Sequence, residues 1–219
     1  MKKYKVLVMD FDLTIGDTHE LIVKLLIGNA ASLGVTVTRE QVEPGIGCVV
    51  HDIYRRTGVV SDEMADRLGE NYLAYSDGPS RRETVFFPDV RPGLELLRAH
   101  GIRAAIFSQK MMGQMVDPLV REGMRELFDC IVGYQTVAHT KPDPEGMFLI
   151  EKELGVTADE ILYTGDALTD ERTAKAAGTD FAVMATGLTP KSAFDASYAV
   201  GQYDCFMDLC RAMVAAYGD

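Results

Sequence analysis

The chain has 219 residues, 47% of them apolar and 25% charged, and a formal net charge of −11. This composition is ordinary for a globular protein with a sizeable core, while the acidic balance argues against nucleic acid or an anionic membrane surface as a partner, since both demand a basic face. Cys48, Cys130, Cys205 and Cys210 form no CxxC pair, no secretory pattern opens the chain, and the longest apolar stretch, Leu21 to Ile27, is interrupted by Lys24, so the expected setting is a reducing cytoplasm without a membrane span.

In chain order, the apolar run Tyr4 to Met9 reads as the first strand of a parallel sheet, buried on both faces. Residues 17 to about 77 carry helical periodicity with almost no strand signal. Asp17 or Thr18 can cap a helix running to Leu33, and Thr38 opens a short one that Pro44 and Gly45 end. Two more helices are expected over Gly47 to about Thr57 and Ser61 to about Tyr75. Turn formers break the pattern at Asp77-Gly78-Pro79-Ser80 and again from Phe87 to Gly93, marking two linkers. Helices over 91–100, 113–122, 143–154 and 169–177 then alternate with strands over 102–107, 130–132, 160–164 and 180–184. Thr157 to Glu160 have capping-box spacing, but so few residues follow before Gly165 that a strand with Thr157 in the preceding turn is preferred. Tyr198 to Val200 add an edge strand before a last helix over 203–216. Such alternation means an α/β fold, a parallel sheet covered by helices, with a helical subdomain over 17–85 inserted into a core of 1–16 and 86–219.

Four expected strand ends carry polar residues that can converge. Asp10 and Asp12 follow the first strand, Ser108 the second, Lys141-Pro142 lie beyond the third, and Gly165-Asp166 with Asp170 follow the fourth. Open α/β sheets bind ligands beyond the carboxyl ends of their strands. Carboxylates that close together need a cation or a shared proton, so metal binding and acid/base work both fit. Mg²⁺ takes hard oxygen ligands, usually one or two carboxylates, which Asp10 and Asp166 can supply. A lysine and a serine hydroxyl can then neutralise and orient phosphate oxygens.

The ordered set Asp10-Phe11-Asp12-Leu13-Thr14, Ser108, Lys141-Pro142 and Gly165-Asp166-Ala167-Leu168-Thr169-Asp170 resembles the four motifs of the haloacid dehalogenase superfamily over residues 4 to about 187. The GDxxxD form and Ser108-Gln109-Lys110 look most like its phosphoglycolate phosphatases and their small-molecule phosphatase relatives. The resemblance implies a Rossmann-like core with a helical cap and a small phosphorylated metabolite as partner; the sequence leaves monomer and homodimer open. By the same resemblance Asp10 is the nucleophile, Asp12 the general acid and base, and Lys141 the cation at the reacting group. Thr14, Ser108, Gln109 and Lys110 are expected at the substrate. Magnesium is expected at Asp10, Asp166, the backbone carbonyl of Asp12 and, through water, Asp170. Leu13 stands where the family usually has Gly, and Gln109 where related phosphatases often have Asn.

Each motif also has a plainer reading. Asp12-Leu13-Thr14 alone is a capping turn, Lys141 a surface lysine, Asp170 a helix-dipole partner, and His51, His139, Arg55, Arg56, Arg81 and Arg82 solvated side chains. The competing functions are a phosphosugar mutase of the same superfamily, disfavoured by Gly165-Asp166, and a non-catalytic phospho-ligand binding or signalling protein. A phospho-receiver domain lacks a long helical insertion between its first aspartates and its hydroxyl.

Overall fold

The computed structural model describes residues 1–217. Strand β1 (Val6–Met9) is buried at all four positions, as an apolar run paired on both edges must be. The chain forms two compact units, one of Met1–Asp17 with Val85–Asp219 and one of Thr18–Thr84. A two-residue strand, β2 (Gly16–Asp17), closes the first stretch of the larger unit.

The smaller unit is helical: α1 (His19–Ser32), α2 (Arg39–Val42), α3 (Val50–Arg56) and α4 (Asp62–Glu83). Val23, Leu26, Ala30, Ile53, Tyr54, Ala65 and Leu68 make its core. Asn29 is buried within this core and fully engaged, donating to Tyr54 Oη and to the Leu68 carbonyl, each at 2.9 Å, and accepting from Asn71 at 2.8 Å. The linker expected at Asp77-Gly78-Pro79-Ser80 is instead helix, because α4 continues to Glu83 with Pro79 inside it. Packing overrides propensity here. Ser76 and Ser80 are buried, Arg81 pairs with Asp77 one turn earlier at 2.9 Å, and Gly28 of α1 leaves room for the Tyr75 ring.

In the larger unit β3 (Val85–Phe86) pairs antiparallel with β2. The remaining elements are α5 (Val90–Ala99), β4 (Arg103–Phe107), α6 (Met112–Arg121), β5 (Cys130–Val132), α7 (Glu145–Leu154), β6 (Ile161–Gly165), α8 (Leu168–Ala177), β7 (Asp180–Met184), β8 (Ala199–Tyr203) and α9 (Phe206–Ala215). Thr157 to Glu160 combine both sequence alternatives, a capping box closing a 3-10 turn directly before β6. The last strand lies slightly later and is longer than the expected three residues.

Six strands form one parallel sheet in the order β5-β4-β1-β6-β7-β8. The chain leaves β1 toward β4 and β5 and returns to β6 on the other side, so the strand order reverses around β1 and opens a crevice at the carboxyl ends. Alternation sorts the side chains to two faces. Leu7 and Met9 pack with Val90, Leu94, Ile106, Leu162 and Phe206, whereas Val6 and Val8 pack with Phe107, Met147, Tyr163, Ala174 and Val183. All four cysteines are free thiols. Among the described residues no helix is long and apolar enough to cross a membrane.

Candidate active site

The switch point places the motif residues on adjacent strand ends. Asp10 follows β1, Ser108 follows β4 and Asp166 follows β6, and Lys141 arrives on the long connection between β5 and α7. The Asp10 amide still bonds the Thr164 carbonyl at 2.9 Å, which fixes where β1 ends relative to β6.

Lys141 organises the group. Its side chain is 4% exposed, and its ammonium lies 3.0 Å from Asp10 Oδ1 and 2.6 Å from Asp170 Oδ1. Tyr163 Oη donates to Asp170 Oδ1 at 2.8 Å and accepts from Lys141 at 3.2 Å. The Ala167 amide donates to Asp170 Oδ2 at 3.1 Å. Both oxygens of Asp170 are thus engaged by protein donors, and Asp170 acts on Lys141. Asp10 Oδ1 is different: it is buried against the Lys141 ammonium at 3.0 Å, an ion pair away from ideal hydrogen-bond geometry. Thr14 does not point at open space but donates to Asp166 Oδ1 at 2.9 Å. Asp10, Asp166 and Asp170 each bring an oxygen within 4.8 Å of the others.

The Asp10, Asp166 and Asp170 carboxylates share the Lys141 ammonium, which leaves this cluster short of positive charge. Burial, reinforced by Asp170 and only partly offset by Lys141, raises Asp10 from 3.8 to about 6. Burial with the Asp170 and Asp10 charges also holds Asp166 well above the usual carboxylate range. For Lys141 burial opposes the charge, but Asp10 and Asp170 outweigh it and the ammonium is held more firmly than usual. Burial and the Asp170 charge keep the Tyr163 phenol neutral far above its ordinary value. A divalent cation fits this donor set: hard carboxylate oxygens of Asp10, Asp166 and Asp170 within 4.8 Å of one another, and excess negative charge.

The loop from Asp10 to Gly16 holds its shape despite Leu13. Leu13 adopts the left-handed conformation, φ 58°, that a glycine would take without strain. That costs a non-glycine residue about 1–2 kcal/mol, which burial of the Leu13 side chain can offset. Its amide bonds the Gly16 carbonyl at 2.9 Å and its carbonyl accepts from the Thr186 hydroxyl.

The Ser108-Gln109-Lys110 residues divide their tasks. Ser108 is buried and its hydroxyl accepts from the Lys110 amide at 3.3 Å. Gln109 donates to the Lys141 carbonyl at 3.0 Å, tying two motif loops together. Lys110 turns its ammonium onto both carboxylate oxygens of Asp12, at 2.9 and 3.1 Å. Elsewhere, His139 pairs with Glu145 at the surface and Arg55 with Asp52 and Asp66.

Sequence reasoning missed Tyr163, Thr186 and Gly187. Tyr163 had one usable signal, a phenol in an otherwise apolar buried strand, which needs a polar partner. Gly187 had none: a Cβ there would collide with the Asp166 carboxylate, and one at Gly165 with that of Asp170.

Residues 7–184 match the model of haloacid dehalogenase-like hydrolases, and the chain belongs to that family. Among its relatives, a phosphoglycolate phosphatase of Rhodospirillum rubrum is 31% identical over 194 residues, 84% of this chain and 80% of that protein. A phosphoglycolate phosphatase of Pseudomonas savastanoi is 34% identical over 130 residues, 58% of this chain, and the match spans only 47% of that relative's length. The solved structure of a haloacid dehalogenase-like hydrolase from Bacteroides fragilis superposes with a TM-score of 0.86 at 31% identity, covering 94% of this chain and 100% of that one.

Proposed function

We propose that the protein is a magnesium-dependent phosphatase of small phosphate monoesters, of the phosphoglycolate phosphatase kind, working through an aspartyl-phosphate. The observation that carries this reading is the buried Asp10 oxygen held 3.0 Å from the Lys141 ammonium, with Asp166 and Asp170 oxygens within 4.8 Å. It is a nucleophile's oxygen kept available beside a fixed cation.

In the first step an Asp10 oxygen bonds to phosphorus as the bond from phosphorus to the ester oxygen breaks, and Asp12 gives its proton to the leaving alcohol. In the second, Asp12 takes a proton from water as that water attacks phosphorus and releases Asp10. Lys141, held by Asp170 and Tyr163, neutralises charge on the transferring group throughout. Ser108 supplies a hydroxyl from the neighbouring strand end, after β4. Asp10 and Asp166 would hold the magnesium, whose charge relieves the carboxylate repulsion and draws the phosphoryl oxygens, while Thr14 orients Asp166. Residues 17–85 are assigned the role of a cap that excludes bulk water and favours small metabolites; the separate core of the Thr18–Thr84 unit supports that assignment.

The test is phosphate release from an aryl phosphate with Mg²⁺, comparing the unchanged protein with Asp10→Asn, followed by a panel of phosphorylated metabolites including phosphoglycolate. Turnover that needs both magnesium and Asp10 is expected. Full turnover in chelator, or by the Asn variant, would refute the proposal.

A further inference from the structure

Unlike Asp10, Ser108 and Asp166, Lys141 does not follow a strand directly, so the sheet alone cannot place it; it rides on the long connection from β5 to α7. That connection is folded against itself. The Glu145 carboxylate accepts from the Ala138 and His139 amides at 3.0 and 2.8 Å, and the Asp143 amide donates to the Thr140 carbonyl at 3.0 Å. It is also laced to the segment after β4. The Tyr134 amide donates to the Lys110 carbonyl at 2.9 Å, and the Met112 amide donates to Gln135 Oε1 at 2.9 Å. Gly133 lets the two segments approach, since a Cβ there would stand 2.8 Å from the Lys110 carbonyl oxygen. A further tie falls on the lysine itself, where Gln109 Nε2 donates to the Lys141 carbonyl at 3.0 Å. A carbonyl only accepts, so this contact decides which end of the Gln109 amide faces Lys141.

We infer that Gln109 is a positioning residue that fixes the backbone of Lys141 and so keeps its ammonium at the transferring phosphoryl group; the inference rests on the phosphatase reading. A lysine side chain is a flexible four-carbon stem, and placing its charge takes a hold at both ends. The far end is held by Asp10 at 3.0 Å, Asp170 at 2.6 Å and the Tyr163 hydroxyl at 3.2 Å. The near end, the backbone carbonyl, is what Gln109 holds. This second hold matters most once the first step has run. Asp10 gives up its charge when its oxygen bonds to phosphorus, so its pull on the ammonium weakens while that of Asp170 persists. With its backbone fixed, Lys141 is kept from following Asp170 away from the phosphoryl group. Gln109 makes and breaks no bond in either step. The family resemblance places this residue at the substrate; the geometry turns its amide nitrogen to Lys141 instead.

Lys141 acts on the phosphoryl group, which every monoester shares, so misplacing it should cost the same on every substrate and on a mimic of the transferring group. In saturating Mg²⁺, kcat and KM are measured for 4-nitrophenyl phosphate and for the best metabolite of the panel, together with inhibition by orthovanadate, which binds as a five-coordinate mimic of the transition state. The proteins compared are the unchanged chain, Gln109→Met, which keeps the length but cannot donate, and Gln109→Asn, which donates from a shorter arm. For Gln109→Met, kcat/KM should fall by about fivefold on both esters and the vanadate inhibition constant should rise by about the same factor, the scale of one neutral hydrogen bond. Gln109→Asn should fall between, and it provides the same comparison if the methionine variant does not fold. A lower kcat with unchanged vanadate inhibition means only that less of the protein is active, the mark of a structural role, and would overturn the assignment. So would a raised KM for the metabolite alone, which marks contact with the part of that substrate beyond its phosphate, and so would full activity in both variants. If the unchanged protein turns over no ester, the phosphatase reading itself fails, and the Gln109 assignment with it.

Discussion

Replacing Asp10 by Asn should make the metal-free protein more stable, although the residue is the proposed nucleophile. Asp10 is raised from 3.8 to about 6 in the folded protein, mainly by burial. Between those values the folded state keeps a proton that the unfolded chain has released, so its stability falls as pH rises through the window and the full penalty persists above it. At about 1.36 kcal/mol per pH unit, that penalty is about 3 kcal/mol at pH 7.5 and is mostly gone at pH 4. A neutral amide of the same shape carries none of it. Urea unfolding followed by far-ultraviolet circular dichroism, in chelator, should therefore show Asp10→Asn more stable by about 3 kcal/mol at pH 7.5, with the gap nearly closed at pH 4. Titrating groups away from the site, such as Asp195, held low at about 2 by Ser197 and Lys175, are common to both proteins and cancel, while loss of the Asp10 charge also relieves Asp166 and so acts in the same direction. Added Mg²⁺ should stabilise the unchanged protein more than the variant and shrink the gap, because a ligand stabilises the state that binds it. A gap equal at both pH values, or an Asn variant less stable at pH 7.5 in chelator, would refute the charge argument.

Two further substitutions test the supporting structure. Gly187→Ala places a methyl group against the Asp166 carboxylate, and isothermal titration should show Mg²⁺ binding weakened by about tenfold or more, the scale seen when a ligand's supporting contacts are disturbed; unchanged affinity would mean that the loop gives way instead. Pro79→Ala restores a helical N–H inside α4, and thermal unfolding should report a gain of about 1–2 kcal/mol, whereas a loss would show that the proline ring itself contributes to packing.

The strand ends were legible because burial in a parallel sheet writes itself as short apolar runs, so the positions after Met9, Phe107 and Gly165 could be read as neighbours before any coordinates. The helical character of the inserted unit was legible for a similar reason, the periodicity of its buried face. Local signals misread α4 beyond Tyr75, since turn-forming residues lose to the packing of Ser76 and Ser80, which involves residues distant in sequence. The partners of the site side chains were out of reach as well. That Lys110 reaches Asp12 across 98 positions, that Thr14 reaches Asp166 across 152, and that Gly187 makes room for Asp166 depend on which loops the sheet order brings together. Periodicity along one chain segment states which face is buried; the folded sheet decides what that face, and the polar residue at its end, will meet.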